Sequence, residues 1–370
     1  MRKKIILTMT IAILALVTIS LVVYALFRPA EPVTFNWNGP GLTDEVVDPL
    51  RPEEDAIHLE DDENYFEWWY FDVHLENGYS VVGVVYHARH MGSGQPETLL
   101  EIHTPAGENL SADKLYSESD LRASAQECDV WLGENHIYGR YPEYHLFISE
   151  GELEADLTFH SQMQGWKPGE GKFFYGDDGY FAWVVPVPRA QVEGTIRIGD
   201  KVIPVSGIGY HDHNWGTVDL SKVISYWHWG RLYANDFTLI YADVAAKKHY
   251  RNAHVRPLML ACSDQILLST GEVVVREGEE TFSQEANRAY PTHLDISVPG
   301  KVSVTLEVKE VTEATDFLED RNPILKWVVN TFLARPAYFR FLSDFTMHVE
   351  HEGQTYNLEG ETLHEMMAFE

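Results

Sequence analysis

The sequence predicts an all-β protein of two barrels or sandwiches in tandem, preceded by an N-terminal transmembrane helix. Three observations lead there. From Tyr65 onward apolar residues recur mostly at every second position, two short turns separate alternating runs, and one uncharged apolar stretch opens the chain.

The opening stretch, Ile5 to Phe27, runs 23 residues without a charge behind Arg2, Lys3 and Lys4. That length crosses the hydrocarbon core as a helix, and the basic flank holds its start in the cytoplasm. The expectation is a single-pass protein of the cytoplasmic membrane with the bulk of the chain outside the cytoplasm. A cleaved signal peptide is the rival reading, but no small-x-small site follows and the run exceeds a usual signal core. Residues 1–28 are therefore read as an anchor or uncleaved signal. Residues 29–60, with Pro29, Pro32, Pro40, Pro49, Pro52 and the acidic run Glu53-Glu54-Asp55, hold no apolar period and read as a tether.

Beyond the tether, Ser80 to His87 and Phe181 to Val187 read as buried strands. Gly199-Asp200 between Thr195–Ile198 and Lys201–Ile203 is a hairpin signal with Gly first in the turn. Many short strands with turn signals and few helices suggest a first barrel over 61–200 and a second over 201–370, with the boundary near Val192 to Gly207. Leu294, Ile296 and Val298 alternate up to Pro299-Gly300, and Val302, Val304, Leu306 and Val308 alternate after it. One helical signal lies late: Asn322 as cap, Pro323 at the first position and an apolar run to Arg335-Pro336 predict a helix near 322–335, buried between the lobes.

Met1 to Arg28 holds four basic and no acidic residues, so the remainder carries 24 Lys and Arg against 57 Asp and Glu, a net of −33. Such a surface repels phosphate backbones and excludes nucleic acid as a partner. Cys128 and Cys262 stand far apart and form no Cys-x-x-Cys pair, which excludes a zinc site built on paired thiolates. A single disulfide and two free thiols both remain open.

Three clusters can carry chemistry: Glu67 to Asp72 (EWWYFD), Gly209 to Gly216 (GYHDHNWG), and the strands Tyr226 to Leu232 and Asp236 to Val244. Strand alternation puts His211, His213 and Trp215 on one face and turns Asp212 away, so a metal held by the two histidines with Asp212 or His228 is not expected. It also sets Asp243 at the end of an apolar face with Phe237, Leu239 and Tyr241. A desolvated carboxyl there would stay protonated near neutral pH, unless it is an ion-pair partner of a residue such as Arg231.

At these residues the chain resembles the carotenoid 1,2-hydratase family, also called hydroxyneurosporene synthase, and the related AttH-type proteins with two lipocalin-like domains. The likeness rests on EWWYFD, on Tyr210 to Gly216 (YHDHNWG) and on Tyr241-Ala242-Asp243. It implies two lipocalin-like β-barrels and an enzyme using a His-x-Trp pair, here His213 and Trp215, with a Tyr-x-Asp pair, here Tyr241 and Asp243. Asp243 would protonate an isolated alkene, Trp215 and Tyr241 would face the cation, and His213 would orient the acid or water, without metal or organic cofactor. Trp69, Tyr210, Trp227 and Trp229 are the expected substrate-binding residues. The resemblance also covers cyclases, including Diels–Alderase-like members. The expected ligand is a hydrophobic isoprenoid-like small molecule, to be hydrated, or simply carried by a membrane-tethered binding protein.

Overall fold

The computed structural model describes Val17 and residues 31–89, 94–316 and 336–369. The expected anchor over Ile5 to Phe27, Val17 apart, and the expected helix near 322–335 lie outside the described residues. No helix among the described residues is long and apolar enough to cross a membrane.

The regular structure of the described chain is almost entirely antiparallel strand. The first sheet takes Val33–Phe35 (β1), Phe66–Leu75 (β2), Ser80–Ala88 (β3), Glu97–His103 (β4), Asn109–Leu115 (β5), Leu121–Ala123 (β6), Cys128–Leu132 (β7), Asn135–Arg140 (β8), Glu143–Glu150 (β9), Leu153–Ser161 (β10), Lys172–Tyr175 (β11), Tyr180–Ile198 (β12) and Lys201–Gly216 (β13). The rest begins with a single short helical turn, α1 (Leu220–Val223), and continues through Ile224–Ala234 (β14), Phe237–Ala246 (β15), His254–Val255 (β16), Leu258–Cys262 (β17), Gln265–Thr270 (β18), Val274–Glu277 (β19), Glu280–Ser283 (β20), Arg288–Pro291 (β21), His293–Val298 (β22), Val302–Asp316 (β23), Ala337–His351 (β24) and Gln354–Ala368 (β25). Sheet one runs β5-β4-β3-β2-β13-β12-β10-β9-β8-β7-β6, and sheet two runs β18-β17-β15-β14-β25-β24-β23-β22-β19.

Each sheet curls around its own apolar core. In the first, Phe71, Val81, Leu100, Leu146 and Phe159 meet inside the curve, and β4 touches β9 and β10 across it. In the second, Leu239, Tyr241, Ile296, Leu306 and Phe345 do the same. Among the described residues no hydrogen-bonded pair joins β5 to β6 or β18 to β19, so these are curled open sheets rather than closed barrels. A third core lies between the outer faces of β2, β12, β13, β14 and β15, built from Phe66, Trp183, Tyr210, Trp229 and Ile240.

Two boundaries fall elsewhere than the sequence suggests. Gly199-Asp200 is indeed the turn of a hairpin, but both arms belong to sheet one, with Ile196 opposite Ile203 and Trp183 opposite Asn214. The chain passes to sheet two at residues 217–223, where Asp219 caps α1 by accepting from Ser221 N at 3.1 Å. Residues 31–60 are not a free tether: β1 pairs with β11, Thr43 bridges Thr270, and Asp55 and Ala56 are buried. Their prolines hide the signal because irregular backbone has no period to read. Cys128 and Cys262 are both free thiols.

Candidate functional site

Strand alternation decides what faces the space between the sheets. The outward residues of β2 (Trp68, Tyr70), of β12 and β13 (Trp183, Asp212, Asn214), of β14 and β15 (Trp227, Trp229, Ala242, Val244) and of β25 (Glu365) line one cavity of about 120 Å³. Phe173, Phe181, Leu220 and Ile224 complete its wall. The lining is aromatic, with Asp212 and Glu365 as its carboxyl groups.

Asp212 is held in place by three donors. Tyr210 Oη and Trp183 Nε1 donate to Oδ2 at 2.8 and 3.1 Å, and Asn214 Nδ2 donates to Oδ1 at 2.8 Å. Burial raises its carboxyl to about 6, the donors only partly offsetting that effect. Across the cavity, burial also raises Glu365, with Arg340 pulling the other way. Tyr70 Oη reaches Asp72 Oδ2 at 3.0 Å and Glu365 Oε1 at 3.3 Å. Behind it, Asp72 of sheet one takes Arg231 Nη2 at 2.6 Å and Arg340 Nη2 at 2.9 Å from sheet two. Burial would raise Asp72, but the two guanidiniums hold it well below the usual carboxylate range.

Of the four residues expected to be catalytic, His213 and Trp215 are in ring contact at 5.0 Å, but Tyr241 and Asp243 belong to the other sheet and do not join them. His213 lies inside sheet one, stacked on Trp69 at 4.4 Å, with Nε2 2.9 Å from Glu67 Oε1 and Nδ1 3.3 Å from Asp55 Oδ1. Burial would lower its pKa, but the two facing carboxylates outweigh that and push it up to about 9. Trp215 stacks on His58 at 3.8 Å. Tyr241 points into the core of sheet two, and Asp243 is bound by His254 Nδ1 at 2.6 Å and Arg256 Nε at 3.1 Å. Asp243 is thus an ion-pair member, though not with Arg231, whose partner is Asp72.

Of the expected substrate-binding residues, Trp227 and Trp229 line the cavity, Tyr210 stands behind Asp212, and Trp69 is packed inside sheet one. The residues the sequence reading missed are the neighbours of those it chose. Asp212 and Asn214 alternate with His211, His213 and Trp215; Ala242 and Val244 alternate with Tyr241 and Asp243. The period-two pattern contained both faces, but nothing in it says which face looks toward the other sheet. Glu365, at the far end of the chain, had no local signal.

A family model described as AttH-like matches residues 104–323. A hydroxyneurosporene dehydrogenase of Chlorobaculum tepidum is 27% identical over 226 residues, spanning 50% of this chain and 58% of that protein. The ceramide-binding protein svf1 of Schizosaccharomyces pombe is 26% identical over 203 residues, spanning 53% and 52%. The chain thus spans little more than half the length of these two relatives. The crystal structure of kievitone hydratase from Nectria haematococca superposes with a TM-score of 0.57 at 13% identity, covering 92% of this chain and 98% of that one, so the fold is shared. With its own residues 104–323 matched and its two curled sheets reproduced, the chain belongs to the AttH-like family.

Proposed function

We propose that the protein takes a hydrophobic small molecule into the cavity between its sheets and acts on it by acid-assisted hydration of an isolated carbon–carbon double bond. The observation that carries this reading is the carboxyl group of Asp212 presented into an aromatic-walled, largely apolar cavity. In the reaction, the Asp212 proton forms the new C–H bond and the alkene π pair is consumed, leaving a carbocation. The ring faces of Trp68, Trp183, Trp227 and Trp229 surround that charge, each able to contribute about 1–2 kcal/mol where water is excluded. Water then forms the C–O bond and returns a proton to the Asp212 carboxylate, so the net change is addition of one water. The Trp229 Nε1 donor makes no hydrogen bond to a described residue and is available to the water or to a ligand oxygen.

A cavity of about 120 Å³ holds the reacting segment of a ligand rather than a whole polyene. Kievitone hydratase shares the fold and its name describes a hydration. The substrate class remains that of an isoprenoid-like chain, delivered from the membrane to which residues 5–27 tether the protein. A reporter fused after Glu370 would then be active only outside the cytoplasm; activity in the cytoplasm would reverse that topology.

The test is Asp212→Asn, which keeps size and removes the transferable proton. Turnover of a terminal-alkene isoprenoid should fall by about two to four orders of magnitude with ligand binding retained. Wild-type rates in the variant would sink the assignment. The second reading is a carrier, favoured by the ceramide-binding relative; it gains if wild type retains an amphiphilic lipid and turns over no alkene.

A further inference from the structure

A second set of buried side chains, enclosed within sheet one, has no part in the cavity. We infer that Asp55, Cys128 and His211 form a divalent transition-metal site of zinc type inside sheet one. A carboxylate oxygen, the thiol sulfur and an imidazole nitrogen from these three residues all lie within 4.8 Å of one another, and each side chain is at least 98% buried. Oxygen, nitrogen and sulfur donors together suit a borderline-soft cation such as zinc, not calcium or magnesium, which take oxygen alone.

The surroundings orient the donors as an outer shell does. His211 Nδ1 lies 2.9 Å from the Tyr70 carbonyl oxygen, which accepts its proton and leaves Nε2 to face Asp55 Oδ2 at 3.2 Å. Phe71 stacks flat on the imidazole at 3.9 Å and fixes its plane. A second observation points to a ligand: Asp55 Oδ1 and His213 Nδ1, both on fully enclosed side chains, stand 3.3 Å apart, yet neither makes a hydrogen bond to a described residue. A buried carboxylate oxygen that lacks hydrogen-bond geometry is uncommon, and a cation bound at Asp55 would give Oδ1 a partner besides the neighbouring imidazole.

Structurally, such an ion ties three distant stretches together: the irregular segment before β2, the start of β7 and the middle of β13. Its consequence is to fasten residues 31–60 to sheet one. This inference does not depend on the chemistry of the cavity, whose side chains point the other way.

The experiment uses the full chain, purified from cells supplied with zinc or cobalt and desalted before elemental analysis. About one metal ion per chain is expected, as for a single site with three protein ligands. Cobalt-grown protein should show thiolate-to-cobalt charge-transfer absorption that survives Cys262→Ser and disappears in Cys128→Ser. The chain has only two cysteines, so these variants assign the sulfur even if the second is poorly stable. His211→Ala should lose the metal as well. Wild type that is metal-free after growth with either ion overturns the site. Metal retained in Cys128→Ser without loss of affinity also overturns it.

Discussion

Asp212 and Asp243 are both buried carboxyl groups on long strands, and their partners separate their roles. Asp212 meets only neutral donors, the phenol, indole and amide of Tyr210, Trp183 and Asn214, and borders the cavity. Asp243 is bound by a guanidinium and an imidazole on the other face of its strand. Asp243→Asn should therefore weaken folding by about 1–3 kcal/mol, the usual worth of charge-assisted hydrogen bonds, while turnover stays near wild type. Chemical denaturation and a rate assay on the same sample check it. A loss of rate as deep as that of Asp212→Asn would return the acid to Asp243 and remove it from the cavity.

At the scale of elements, alternation in β13, β14 and β15 was legible and its facing was not. The pattern correctly grouped His211 with His213 and Trp215, and Tyr241 with Asp243. It could not show that those groups face inward, each into its own sheet, because the choice is made by sheet packing across hundreds of residues. Both hairpins, Ile198–Lys201 with a two-residue turn and Val298–Val302 with a three-residue one, were readable because a short turn fixes its own register. The 31–60 segment was not, since its burial depends on partners such as Lys172–Tyr175 and Thr270. The same tight facing makes a prediction in β14. A Cβ on Gly230 would stand 2.8 Å from His364 Cβ and 2.9 Å from Tyr241 Cε1, so Gly230→Ala must displace the Tyr241 ring. About 1–3 kcal/mol of destabilisation is expected from such overpacking, read as a lowered thermal midpoint. An unchanged midpoint would show that the ring has room to move.

Across the whole molecule, the two curled sheets are fastened by charge as well as by the apolar core between them. Asp72 receives both Arg231 and Arg340, and all three are buried. Asp72→Asn would leave two buried guanidiniums with only Glu365, 3.9 Å from Arg340 Nε, as a counter-charge, at a cost of about 3–5 kcal/mol, the range for a broken buried pair. Urea denaturation measures it, and a loss under about 1 kcal/mol, no more than one ordinary hydrogen bond, would mean the apolar core holds the sheets without the clamp.

The edge of this clamp should respond to pH. Glu313 of β23 faces Glu101 and His103 of β4 across the sheets, with Arg340, Thr315 and Glu285 around it. Burial, and then repulsion from Glu101, push its carboxyl up to about 7 from an ordinary 4.5, with Arg340 and Thr315 offsetting part of the shift. Glu101 is raised in the same direction by burial. Between those two pH values the folded chain keeps a proton that the unfolded chain has released, so the folded state binds more protons. Stability from this group is therefore full below about pH 4.5 and is lost as pH rises through about 7. Other raised carboxyls, including Asp212 and Glu365, act in the same sense, so the slope of wild type alone does not identify Glu313. The difference from Glu313→Gln does: the amide cannot ionise, and the variant should gain on wild type steadily as pH rises across this window. Parallel stability curves for the two proteins, measured by denaturation at closely spaced pH, would show that the Glu101–Glu313 contact releases no proton on unfolding.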